Sequence, residues 1–266
     1  MKAREFSAWI LALGLCTACV TGHQGAQSAA DFTSDEAFRH WFTYYYQDPH
    51  PESLTAAVRF MKANGYLDEG NSEGHDMPLI ASVFLARLMK AHKNELRQWA
   101  ASWQNLGGQE WYVLLVSLYM SDLDEARRVL AENLHKVDKV HQQRLAGMQK
   151  VPPAALDPLI GPVLSQRQIN LLWAGFSASG DLNYVQKVIA AVPMYGDDSE
   201  QKASIGELAL MSLATNAMQN DSVASECAKV NSLTKDKKTR ILLSAMLAAV
   251  ADIARDERRE HDAISH

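Results

Sequence analysis

Residues 171–189 read LLWAGFSASGDLNYVQKVI: an apolar, aromatic-bearing run, a tight polar turn at Phe176 to Asp181, and a second run opening on Leu182 and Asn183. The plan is a helix with aromatic and small residues, a tight polar turn, and a second helix that begins with acidic or amide residues. Three more turns share this plan, at His92 to Asn94, Leu118 to Asp122 and Asn216 to Asp221. Their separations, roughly 29, 59 and 40 residues, are unequal, yet the first is close to a helical-hairpin period and the second near twice it. The expectation is an all-α chain: antiparallel helical hairpins stacked side by side as a degenerate array of the tetratricopeptide type.

The rest of the chain from Thr33 onward agrees, since apolar residues recur at helical spacing and almost nothing alternates with period two. Thr33-Ser34-Asp35-Glu36 has the spacing of a capping box, and Phe38, Trp41, Phe42 and Tyr45 then share one face. Asp48-Pro49-His50-Pro51 breaks that helix, Pro51 suits the first turn of the next, and Gly65 ends it. Further helices are expected over 78–92, 94–106, 109–120, 123–134, 166–178, 182–192, 199–220, 222–233 and 235–259. Residues 135–164, with Pro152, Pro153, Pro158 and Pro162, are the one interruption. They read either as a linker or as a loop with a short helix packed over the concave side, because thirty structureless residues are unusual in a compact domain.

The domain plan is thus a signal at 1–18, a tether at 19–33, helical hairpins at 34–134, the proline-containing connection at 135–164, further hairpins at 165–259 and a tail at 260–266. The signal rests on Lys2 and Arg4, an apolar run at 8–15 too short to span a bilayer, and small residues leading to Cys19. Cleavage before Cys19 would make that residue the lipid attachment point. Cys16 stands where lipoprotein signals usually have leucine; Cys16 as the acceptor fits worse, since Leu15 would sit at the cut. Ordinary secretion, with cleavage after Ser28-Ala29-Ala30, is the alternative. The Gly, Gln, Ser and Ala of 21–30 suit a tether and cannot form a core.

With Cys16 removed and Cys19 lipidated, Cys227 is alone in the mature chain and no internal disulfide is possible. An exported domain of this kind relies on its apolar core. The full chain carries a net charge of −5, and loss of the signal makes it about −6. That balance argues against nucleic acid or anionic lipid as the main partner.

Segments 41–52, WFTYYYQDPHPE, and 171–189 together resemble a family of uncharacterised bacterial exported helical proteins, and more loosely tetratricopeptide-type repeats. The resemblance spans most of the mature chain and implies a fold more than an activity. By similarity to enterobacterial lipoproteins, Val20 after Cys19 implies the periplasmic face of the outer membrane.

Residues able to do chemistry are few. Ser199 to Lys202 and Ser232 to Lys235 match the Ser-x-x-Lys spacing of penicillin-binding enzymes without its companion elements; Ser199 and Thr234 read better as helix-entry residues. Glu52-Ser53 resembles the catalytic pair of lytic transglycosylases, but the Gly-rich segment that follows in those enzymes is missing, and a carboxylate is favoured in a first helical turn anyway. His75 beside Asp76 is the first place to look for a metal, whereas His135 and His141 are six apart and do not share a helix face. No catalytic residue, metal or cofactor is assigned. Trp99, Trp103 and Trp111 are expected in one core cluster. Tyr44 and Tyr46 point away from the face of Phe38 and are either a partner-binding patch or packing against the Pro49 corner. Residues 241–251, apolar except Ser244, should form the most buried helix or the edge that meets a partner subunit. The preferred reading is a non-enzymatic, lipid-anchored adaptor or assembly factor for another envelope protein. A cell-wall enzyme using Glu52 as acid, and a carrier of small ligands or peptides with a pocket under 135–164, are the alternatives.

Overall fold

The computed structural model describes residues 32–68 and 76–264. Residues 1–31, with the signal, Cys19 and most of the tether, and His75 lie outside the described residues. Within them the chain is all-α, with twelve α-helices: α1 Asp35–Tyr44, α2 Leu54–Ala63, α3 Met77–Ala91, α4 Leu96–Ser102, α5 Gly108–Ser121, α6 Asp124–Asn133, α7 Lys139–Met148, α8 Gln166–Ser179, α9 Leu182–Ile189, α10 Glu200–Gln219, α11 Asp221–Leu233 and α12 Lys237–Ile264. No helix among the described residues is long and apolar enough to cross a membrane.

Helix ends fall where local chemistry puts them. Ser34 accepts from the Ala37 amide to start α1, and Asn220 accepts from Ser222 and Val223 to start α11. α2 ends on Gly65 at φ 72°, with Tyr66 N–H bonded to the Met61 carbonyl and Gly65 N–H to that of Lys62, the two bonds of a Schellman stop. α5 ends on Asp122 at φ 57°, and Gly180 at φ 67° precedes Asp181, whose carboxylate accepts from the Asn183 amide. Thr234 is not the cap of α12: its hydroxyl accepts from the Asp236 amide, and Asp236 takes both the amide and the hydroxyl of Thr239.

The chain divides into two compact units, one of residues 32–161 with 173–180, the other of 162–172 with 181–264. In the first, α3 packs most extensively on α5, with α6 also against α5 and α4 against α6. Phe84 of α3 is fully buried, with the rings of Trp41, Phe42 and Tyr45 of the α1 segment 4.2–5.6 Å from it. Trp103 and Trp111 meet edge to face at 5.8 Å, both buried, while Trp99 lies beside His92 at 6.1 Å. Burying side chains of this size contributes about 2–3 kcal/mol each, and among the described residues Cys227 is a free, buried thiol.

In the second unit α10 packs on α11, α11 and α10 on α12, and α9 on α11. Glu226, 3% exposed, ties α9 to α11 by accepting from Gln186 at 2.8 Å and from Lys229 at 3.1 Å. Burial pushes its carboxyl pKa up, but the two donors outweigh that and hold it below the usual range.

Of the two readings of residues 241–251, the most buried helix or the edge that meets a partner subunit, the first fails here. Residues 241–251 are not the most buried helix: in that stretch only Leu243 and Met246 are buried, and Ile241 is 56% exposed. The buried positions of this part of α12, Thr239, Leu243 and Met246, are spaced four and three residues apart and so fall on one face, while the other apolar side chains lie off it.

Candidate functional site

Residues 135–164 fold rather than run free: they contain α7 and a 3-10 turn, Pro153–Leu156, both against α5. Asp138 starts α7 by accepting from the His141 amide at 2.9 Å. That bond, more than the nearby His141 ring at 3.0 Å, holds the Asp138 carboxyl below its ordinary range. The His141 ring in turn lies 4.4 Å from that of Tyr112 on α5. Leu145, 1% exposed, is the one buried side chain of α7, so helical periodicity was faint in a segment that needs only a single apolar anchor.

Two further ties fasten the segment after α7. Tyr119 on α5 donates its hydroxyl to the Val151 carbonyl at 2.5 Å and lies 3.3 Å from that of Gln149. Arg87 on α3 pairs with Asp157 at 2.7 Å, both side chains a quarter exposed or less. Neither partner of either tie is close in sequence.

Between α3, α5 and α7 lies a half-open cavity of about 340 Å³. Its walls are Pro78, Leu79 and Ser82 of α3, Tyr112, Val113 and Val116 of α5, and Arg144 and Met148 of α7. α3 and α5 approach closely there because a serine replaces a bulky side chain: Ser82 donates to the Pro78 carbonyl at 2.8 Å and lies 3.3 Å from that of Val113. The lining is aliphatic with a guanidinium, a phenol and a hydroxyl, and contains no carboxylate. The volume is at the low end of sites that accept small ligands, enough for one or two peptide side chains.

The residues singled out from sequence lie elsewhere. Glu52 is exposed in a 3-10 turn and accepts from His50 Nδ1 at 2.9 Å, with Asp48 at 3.2 Å on the other ring nitrogen. The Glu52 bond, chiefly, raises the His50 pKa against the opposing effect of burial, with Asp48 adding to the rise. Asp76 stands at the start of α3. No group of His, Cys, Asp and Glu among the described residues has the arrangement of a metal site.

Tyr44 and Tyr46 are both half-buried. Tyr44 lies against His40 at 5.0 Å, and burial, followed by neighbouring Tyr46, raises its hydroxyl pKa. Tyr46 lies against Phe176 at 5.0 Å and its backbone N–H donates to the Ser177 carbonyl at 3.1 Å. Gly180 is required beside it, since a Cβ there would stand 2.6 Å from the Tyr46 ring. The Tyr46 ring is thus engaged in packing.

The eight wall residues were not singled out from sequence. Their only signal was the proline-bearing stretch 135–164, one reading of which was a short helix over a pocket.

The chain matches no protein-family model, and no curated protein or solved structure is detectably similar to it.

Proposed function

We propose that this protein is a non-enzymatic adaptor or assembly factor of the bacterial envelope, lipidated at Cys19, that holds a segment of another envelope protein in the groove beneath α7. The stacked-hairpin reading of the chain belongs to the same proposal. The observation that carries it is the largely aliphatic cavity, whose rim carries the cationic Arg144 and the phenol of Tyr112 and whose lining holds no carboxylate and no acid–base pair. A carrier of small apolar ligands fits the same cavity. The cell-wall enzyme reading has less support, since Glu52 is exposed and bonded to His50 rather than set in a cleft.

A photoreactive phenylalanine in place of Met148, in the full chain expressed in cells, tests the groove. Capture of one discrete envelope protein is expected, blocked by Leu79→Trp and not reproduced from exposed Val140. Equal capture from both positions would sink the proposal, as would loss of a cell-wall phenotype in folded Glu52→Gln. Labelling with a fatty-acid analogue, with Cys19→Ser as control, tests the anchor separately.

A further inference from the structure

The turn between α11 and α12 carries the most exposed large aliphatic side chain among the described residues, Leu233 at 71%, and Ile241 one turn into α12 is 56% exposed. Between them stand Lys235, Lys237, Lys238 and Arg240, all exposed. The single acid of the stretch, Asp236, is exposed as well but engaged at the helix start, where it accepts from the Thr239 amide at 2.7 Å and from its hydroxyl at 2.5 Å, so the stretch keeps an excess of three positive charges. Ser244 of α12 bonds Asn231 of α11 at 3.2 Å, which brings the end of one helix beside the first turns of the other; Leu233 lies two residues after Asn231 and Ile241 three before Ser244. In a chain of net charge −5, four cations and two bare aliphatics in nine residues form a local inversion of the surface.

We propose that this turn is a membrane-contacting surface that docks on anionic lipid headgroups, with Leu233 and Ile241 entering the acyl boundary and the four cations meeting the phosphates. The pairing of the two features selects the occupant. A polyanion such as nucleic acid rewards the cations but has no use for two aliphatic side chains held out in water, whereas an anionic bilayer uses both, and each basic residue near its surface adds to partitioning. The proposal is independent of the groove beneath α7 and stands or falls apart from it.

The test is vesicle partitioning of the full-length chain carrying Cys19→Ser, with phosphatidylcholine vesicles against vesicles containing phosphatidylglycerol; the difference between the two cancels any contribution common to both. We expect the anionic vesicles to be preferred, the preference to weaken in high salt, and Lys237→Gln with Lys238→Gln to reduce it about 30-fold. Leu233→Ser with Ile241→Ser should reduce it at least tenfold, with an unchanged circular dichroism spectrum and melting curve in both pairs. The proposal is overturned if neutral and anionic vesicles bind alike. It is also overturned if the serine pair has no effect while a single-stranded oligonucleotide binds as tightly as the vesicles, the mark of a general polyanion site. Sedimentation showing a dimer that the serine pair dissociates, with no anionic preference, would overturn it in favour of a second copy of the chain on this face.

Discussion

A methyl group added at Gly206 would stand 2.0 Å from the backbone nitrogen of Tyr195 and 2.4 Å from the carbonyl carbon of Met194. Only a hydrogen at that position of α10 lets the Val192–Met194 turn lie on the helix, and backbone cannot swing aside as a long side chain would. Gly206→Ala is therefore expected to lower stability by about 2–3 kcal/mol, against the usual direction of Gly→Ala in a helix. Gly147 in α7 has nothing within 4 Å of the same position, so Gly147→Ala should raise stability by roughly 0.5–1 kcal/mol. Denaturant titration of both variants reads the pair; matching signs would contradict the packing described.

Tyr119→Phe should cost about 1 kcal/mol and act locally, because it removes one hydroxyl bond to Val151 and no apolar area. Amide exchange in 149–157 is expected to quicken more than that in α3 and α5. Arg87→Met should quicken the same segment from its other end, through loss of the pair with Asp157. Uniform change across the chain would mean the segment is not a separable cover.

Cys227 is fully buried, and burial, helped by neighbouring Glu226, pushes its thiol pKa up to about 12. With Cys16 and Cys19 replaced by serine, the folded chain at pH 8 should react with a disulfide reagent only as fast as it opens around α11. The raised pKa also sets a pH dependence. An unfolded thiol ionises near 8.5 while the folded one keeps its proton, so this group's contribution is intact below about pH 8.5 and declines as pH rises towards 12. Cys227→Ala should flatten stability across that window.

His50 has its pKa raised, chiefly by Glu52, so its contribution is full below about pH 6.5 and fades as pH rises through the higher folded value. His50→Gln should remove that slope with little change above it. Nuclear magnetic resonance titration of the ring checks it directly: a midpoint at or below that of a free histidine would refute the pairing.

The helices were legible because their punctuation is local. Gly65, Asp122, Gly180 with Asp181, and Asn220 mark ends that a reader of sequence can place within a residue or two, since each works through bonds to neighbours three or four positions away. The cavity was not legible, because its walls come from α3, α5 and α7 and its cover hangs on Tyr119 to Val151 and Arg87 to Asp157, pairs 32 and 70 positions apart. α12 misled for a third reason. An apolar count ignores which face a residue takes: Leu243 and Met246 share the covered face, whereas Ile241, Leu242 and Leu247 fall off it and stay exposed or half-buried.

Helix α8 contributes residues 166–172 to one unit and 173–179 to the other. Genetic dissection must reckon with this. A fragment stopped at residue 161 would lack Phe176 and Ser177, leaving the Tyr46 ring bare and its amide unanswered, so neither half can be cloned intact by choosing a single stop codon. A protease nick in the 162–165 loop would be tolerated far better than a truncation there, because α8 stays whole and keeps Phe176 and Ser177 on Tyr46.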